Sequence, residues 1–179
     1  MTELVTPSER YRASYLAAVA ETGASMTEVE FASLLASHAD FASGHNLKPT
    51  RVRQTTLWLV DGDDYIGRIS IRHALTPLLG VIGGHVGYDV RPSRRRQGHA
   101  TRMLEAAKPR MVALGVDPAL ITCDETNVGS RKVIEACGGQ LATEAVDMAA
   151  ARAIAETQGP ESLAMLEVPQ LRFWLRTSG

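Results

Sequence analysis

Midway along this chain the hydrophobic period changes from that of strands to that of a helix, and the change falls on a cluster of arginines. Before it, apolar residues alternate in TTLWLVD (55–61), YIGRISIR (65–72) and GGHVGYDV (83–90), the pattern of half-buried strands. After it, Ala100, Met103, Leu104, Ala107, Met111 and Leu114 share one helical face, in which Pro109 predicts a kink or break. A further strand, ALITC (119–123), precedes a helix marked by Ser130, Val133, Ile134 and Cys137 and stopped by Gly138-Gly139. Three hairpin-connected strands followed by helix–strand–helix imply an antiparallel meander continued by one parallel pair with a helical crossover. The glycines at 83, 84 and 87 mark close approach of a ligand or another backbone.

The flanks are helical. Leu4 and Val5 read as a short edge strand, and Thr6-Pro7-Ser8-Glu9 as a capping box with proline at the first helical position. Tyr11, Tyr15 and Val19 continue that helix to about Glu21. Thr27-x-x-Glu30 is a second capping box, followed by Phe31, Leu34 and Leu35, whereas the polar stretch 39–54 has no clear period. Residues 143–157 are alanine-rich and predicted helical, Gly159-Pro160 breaks them, and Leu171–Leu175 forms the closing strand. At 179 residues this is one α/β domain, with an N-terminal helical segment (1–54), a sheet core (55–141) and a helical insert with the final strand (142–179).

Composition narrows the partners. A formal net charge of −1 creates no global attraction to nucleic acid or membrane, yet Arg91, Arg94, Arg95, Arg96 and Arg102 crowd together. There is no apolar run of about 18 residues and no signal-peptide pattern, so neither a membrane span nor secretion is expected. Cys123 and Cys137 form no CxxC pair and have no histidine set beside them, which points away from zinc and toward a reducing cytoplasm. No aromatic platform or wider basic stripe accompanies the arginines, so they do not read as a nucleic-acid surface.

At Val90–Met103 a strand runs into a basic loop, a glycine and a helix start with small residues. The first turn of a helix leaves backbone N–H groups unpaired at the positive end of its dipole. Gly98 admits a phosphate close to the backbone, Ala100 adds little bulk, and the arginines add charge-assisted hydrogen bonds. By itself the stretch reads equally as a solvated arginine run with an ordinary loop glycine. R-x-x-G-x-A is not the G-x-G-x-x-G of dinucleotide folds, and no G-x-x-x-x-G-K-[ST] loop is present.

Four segments in register resemble the GNAT superfamily of N-acetyltransferases. Arg95-Arg96-Gln97-Gly98-His99-Ala100 is similar to its R/Q-x-x-G-x-G/A signature. Thr122–Ser130 resembles its fifth strand followed by N-x-x-S/A, and Glu135-Ala136-Cys137-Gly138 its E-x-x-G helix end. More narrowly, Arg72-His73, Gly84–Tyr88, Arg91-Pro92-Ser93, Ser130–Glu135 and Arg172–Leu175 resemble a bacterial group of predicted acetyltransferases. The likeness spans roughly 55–175, is strongest over 84–139 and is weak in the first fifty residues.

The resemblance implies a mixed, mostly antiparallel sheet with one parallel splayed strand pair and helices on both faces. It implies direct acetyl transfer from acetyl-CoA to an amine in a ternary complex, without metal. It places the pyrophosphate on Arg95, Arg96, Gln97, Gly98, His99, Ala100 and Thr101, and the pantetheine arm beside Val90, Asn127 and Ser130. Backbone near Tyr88 and Val90 would polarise the thioester carbonyl. Asn127 equally suits the cap of the helix that follows it.

The resemblance also exposes two departures. Where many relatives carry a carboxylate or histidine on the fourth strand this chain has Gly84, and where many carry a tyrosine in the last helix it has Ile134. Tyr88 and Asp124 are the candidate proton-transfer residues, with His73, His85 and Glu125 as further titratable neighbours. Tyr88 also suits core packing, the histidines a role in holding strands, and Asp124 with Glu125 a solvated loop. The expected acceptor is a small-molecule or peptide amine. The 142–168 segment is expected to build part of the acceptor wall or a homodimer interface. A weakened acetyl-CoA-binding sensor is the alternative that the two departures raise.

Overall fold

A computed structural model of the chain describes residues 1–178 except 46 and 49. One seven-stranded sheet, ordered β1-β2-β3-β4-β5-β7-β6, draws on both ends of the chain. Its strands are β1 (Thr2–Val5), β2 (Gln54–Asp61), β3 (Asp64–Arg72), β4 (Val86–Val90), β5 (Ala119–Asp124), β6 (Gln140–Leu141) and β7 (Gln170–Leu175). All neighbours are antiparallel except β4 and β5, the expected parallel pair. The α-helices are α1 (Arg12–Ala20), α2 (Glu28–Ser43), α3 (Pro77–Val81), α4 (His99–Ala113), α5 (Val128–Ala136), α6 (Met148–Gln158) and α7 (Pro160–Leu166). Among the described residues no helix is long and apolar enough to cross a membrane.

Strand alternation sends side chains to two separate cores. Leu59, Ile69, Ile71, Val86, Ile121 and Cys123 pack with Met103, Leu104 and Met111 of α4 and Ile134 of α5. On the opposite face Trp58, Val60 and Tyr65 pack with Tyr11, Tyr15 and Phe31 beneath α1 and α2. Tyr15 stacks on Trp58 at 4.8 Å with an interplanar angle of 15°, an arrangement worth about 0.5–1.5 kcal/mol beyond burial alone. A third, smaller cluster joins Leu78 and Val81 of α3 to Ala151 and Ala155 of α6.

Local signals held where tertiary contacts did not oppose them. Thr27 and Glu30 form the reciprocal capping box, with Thr27 N–H donating to Glu30 Oε2 (2.7 Å) and Glu30 N–H to Thr27 Oγ1 (3.2 Å). Thr6-Pro7-Ser8-Glu9 forms no such box. The chain enters a 3-10 turn at Glu9–Tyr11 instead, with Ser8 extended and making no side-chain cap. Pro109 does not break α4, because it and Glu105 lie on the exposed face, where the lost backbone bond is left to water. Residues 143–147 are not helical, since Glu144 is fastened to β7 by Arg172 Nη1 (2.8 Å) and Trp174 Nε1 (3.1 Å).

The strand expected over 83–90 begins only at Val86. Gly83 and Gly84 take positive φ values of 90° and 56°, which turn the chain sharply against β5. A Cβ on Gly84 would lie 2.5 Å from Leu120 O. His85 then supplies the first cross-strand bonds: its N–H donates to Leu120 O (2.7 Å), and Leu120 N–H donates to its Nδ1 (2.9 Å). Burial, then Arg72, keeps the His85 pKa below its usual value, which suits an accepting neutral imidazole. His73 likewise holds the sheet, with Nε2 2.9 Å from Thr55 Oγ1.

After β4 the chain is tied back to the opposite face by Arg91. Its guanidinium reaches Glu21 after α1, Asp64 Oδ1 (2.9 Å) and Tyr65 O (3.1 Å), and only 10% of its side chain is exposed. Glu21 also accepts from Ser93 N–H (2.9 Å) and Ser93 Oγ (2.8 Å). These bonds, Arg91 first, hold Glu21 at about 2 against an ordinary 4.5.

Two outcomes follow from these ties. The Glu21 pKa is depressed on folding, so its stabilisation is complete above pH 4.5 and lost as pH falls toward 2. Melting temperatures of the parent and Glu21→Gln should differ most at neutral pH and converge across that window; a constant difference would contradict the assignment. Gly84→Ala should destabilise by more than about 1 kcal/mol in denaturant titration. Gly80→Ala, whose new Cβ meets nothing within 4 Å, should not destabilise.

Candidate active site

The groove begins where β4 and β5 part. Val86 opposite Ile121 is the single parallel register pair between them. Arg91 N–H returns to Ile66 O on β3 (2.9 Å), so by alternation the N–H groups of Tyr88 and Val90 face β5, where pairing has ended. The groove so opened has a volume of about 540 Å³, and its walls come from β4, the basic loop, the start of α4 and the start of α5.

Most of the expected ligand contacts meet there. Tyr88, Val90, Arg95, Arg96, Gly98, His99, Ala100, Thr101, Asn127 and Ser130 all line it. Gln97 does not; it is exposed, and its Nε2 donates to Ser93 O (3.3 Å).

The start of α4 is uncapped. Gly98 is its N-cap residue at φ 78°, no side chain caps the helix, and an added Cβ at Gly98 would meet nothing within 4 Å. The first intrahelical bond runs from Arg102 N–H to Gly98 O (3.1 Å). Among the described residues the N–H groups of His99, Ala100 and Thr101 therefore have no protein partner, at the positive end of a 15-residue helix. Such a helix start is suited to binding an anion.

The arginine cluster divides by partner. Arg91 is committed to Glu21 and Asp64, and Arg94 Nη2 to Asp64 Oδ2 (2.5 Å). Arg95 donates Nε to Val90 O (3.0 Å), lines the groove and forms no ion pair among the described residues. Arg96 is exposed, forms no ion pair among the described residues, and is the only non-glycine residue among them with positive φ, at 64°. Charge available to a bound anion thus comes from Arg95 and Arg96. The sequence reading did not separate these from Arg91 and Arg94, because only the fold brings Glu21 and Asp64 beside them.

Tyr88 and Asp124 end on opposite faces of the sheet. Tyr88 faces α5, where its hydroxyl lies 2.9 Å from Ser130 Oγ and donates to Ser130 O (3.3 Å). Burial pushes its pKa up to about 12, so at neutral pH it is a proton donor rather than a base. Asp124 does not line the groove. Its Oδ1 accepts from Thr126 N–H and Thr126 Oγ1, both at 2.7 Å, and these bonds hold its carboxyl below the usual range. That arrangement is an Asx turn at the strand end, a position the sequence left open between cleft and loop. Ile134 is fully buried in the core. Asn127 does cap α5, its Oδ1 accepting from Ser130 N–H (3.0 Å), and it lines the groove as well. Among the described residues no cluster of three or more His, Cys, Asp or Glu is placed to hold a metal.

Solved structures share this architecture at low identity. An acetyltransferase conferring self-immunity to microcin C7, in complex with acetyl-CoA and AMP, aligns over 98% of this chain and 92% of its own, with TM-score 0.66 and 12% identity. RimL, a ribosomal-protein alpha-N-acetyltransferase in complex with coenzyme A, aligns over 98% and 93%, with TM-score 0.63 and 14% identity. A Salmonella typhimurium acetyltransferase that modifies the N-terminal serine of a 50S subunit protein aligns over 99% and 95%, with TM-score 0.62 and 14% identity. No curated protein matches the sequence significantly. The family model for the acetyltransferase (GNAT) domain matches residues 13–140, well over half of the chain and all of the groove described above, so the protein belongs to the GNAT acetyltransferase family.

Proposed function

We propose that the protein transfers an acetyl group from acetyl-CoA to a primary amine of a small-molecule or peptide acceptor, directly and within one ternary complex. The observation that carries this reading is the uncapped start of α4 beside the parted strands. It offers unpaired N–H groups, an open glycine and two arginines that form no ion pair among the described residues, at the edge of a groove. A pyrophosphate fits that set, held by the backbone of Gly98–Thr101 with Arg95 and Arg96. The Tyr88 and Val90 N–H groups and Asn127 would hold the pantetheine arm. Acetyl-CoA supplies the activated acyl group; the chain's part is to orient, to stabilise charge and to manage protons.

Proton management falls to Tyr88 in this reading. Its hydroxyl reaches α5 one turn before Ile134, so a strand tyrosine arrives at the helix that carries a tyrosine in the relatives this chain resembles. The acceptor amine would lose its proton to water, since no groove-lining histidine or carboxylate lies on the Tyr88 face except buried His99. A second reading, an acetyl-CoA-binding sensor without turnover, is favoured by one observation: the backbone at Gly84 has no room for a catalytic side chain.

Calorimetry with CoA tests the site. Gly98→Leu should block binding by bulk. Arg96→Ala should weaken binding roughly tenfold or more and reduce its salt dependence. Unchanged affinity in both variants would dismiss the site. A free-thiol assay over a panel of amines then separates enzyme from sensor. With an active amine, Tyr88→Phe should lower turnover by roughly 10²–10⁴-fold while CoA affinity stays the same. Parent turnover in Tyr88→Phe at every pH would leave the tyrosine as packing and solvent as the acid.

A further inference from the structure

On the face of the sheet away from α4 and α5 lies a cavity of about 360 Å³ between α2, the segment before β2, β3 and α3. Arg51, Arg68 and Arg72 line it together with His38, and its lining contains no carboxylate. That is a concentration of positive charge in a protein whose formal net charge is −1. The three guanidinium groups are unequally compensated. Arg68 is paired, with Nε 2.5 Å from Asp89 Oδ2. Arg72 donates Nη1 to Gly83 O (2.8 Å) and Gly84 O (3.1 Å), which satisfies hydrogen bonds without neutralising its charge. Among the described residues Arg51 forms no ion pair. Arg72 is half-buried, and burial followed by repulsion from Arg51 pulls its pKa down, so the two charges work against each other. His38 adds a buried Nε2 with no hydrogen-bond partner.

The half-buried Arg72 guanidinium, held beside the exposed Arg51 without a counter-charge, costs free energy that an anion would offset. The cavity and the groove share neighbouring walls through a third cavity. This third one, of about 320 Å³ beneath α1, shares Arg68 with the arginine-lined cavity and shares Asp89, Val90 and Arg95 with the groove. Arg72 meanwhile grips the Gly83-Gly84 turn that leads into β4. Gln158 at the end of α6 donates to Thr50 O (3.5 Å) and lines the cavity, so the insert contributes to its wall. We propose that this cavity binds a carboxylate or phosphate group carried by the acceptor, held by Arg51, Arg72 and His38, while the acceptor's amine extends toward β4. The proposal rests on the acetyl-transfer reading for its direction, but the cavity's affinity for anions can be measured without it. A cavity of this size suits a small anionic body rather than a nucleic-acid strand.

Inorganic phosphate and succinate, titrated by calorimetry into protein saturated with CoA, are the probes. At least one should bind, and the tighter of the two names the anionic group. Arg51→Gln, a change at an exposed residue, should weaken that binding at least fivefold without altering CoA affinity. Ser37→Glu, which puts a carboxylate at the cavity wall, should abolish it. Absence of binding by both anions in the CoA-saturated protein, or unchanged binding in both variants, would overturn the proposal. If CoA itself fails to bind, the cofactor reading falls alone, and phosphate titrated into the parent and Arg51→Gln still decides the cavity. With an amine that is turned over, the bound anion should raise KM for the amine and leave KM for acetyl-CoA unchanged. Inhibition competitive only with acetyl-CoA would reassign the anion to the groove.

Discussion

Everything in this molecule that bears on chemistry depends on how little β4 and β5 touch. A sheet normally satisfies its backbone by pairing along the whole strand, and unpaired N–H groups left dry are costly. Here pairing is limited to Val86 opposite Ile121, reinforced on one side by His85 bonding both backbone groups of Leu120. Beyond that point pairing stops, and the groove lies beside β4, walled by the basic loop and the starts of α4 and α5. The helix after β4 starts at the groove's mouth, and the helix after β5 starts on its far wall. A single short junction thus brings together two helix starts and a row of unpaired backbone that are distant in sequence.

The basic loop has a second task besides offering charge. Arg91 and Arg94 bind carboxylates from α1's end and from the β2–β3 hairpin, while Arg95 and Arg96 remain open to the groove. One stretch of chain therefore joins the two faces of the sheet: its first arginines hold the aromatic layer, and the later ones line the groove. Displacement of the loop would pull on Glu21 and hence on the end of α1, which gives the two faces a mechanical link.

Legibility in the sequence followed the range of the interactions involved. The strand–loop–helix unit at 90–103 was readable because its signals are local: a period change, a glycine and a run of arginines. The Thr27–Glu30 cap and the Gly159-Pro160 break were readable for the same reason. Thr6–Glu9 carried an equally good local pattern and failed, since the chain there enters a 3-10 turn that delivers Tyr11 to the aromatic core. The glycines at 83 and 84 signal a close backbone approach, and Leu120 makes it at Gly84; the sharp turn itself, set by positive φ at both residues, has no signal in the alternation. Least visible was the arginine-lined cavity. Its members, His38, Arg51, Arg68 and Arg72, come from four places in the chain, and no spacing rule connects them.

The close approach at Gly84 also bears on how such a protein can change over evolutionary time. At a position where the resemblance leads one to expect a carboxylate or histidine, a left-handed backbone sits against a neighbouring carbonyl. Placing such a side chain here is therefore not a matter of one substitution. A side chain there would first require the turn to unwind and His85 to give up its hold on Leu120, so each intermediate would be less stable than either end state. Proton chemistry in this fold is therefore more readily altered at residues already on the groove wall than at Gly84.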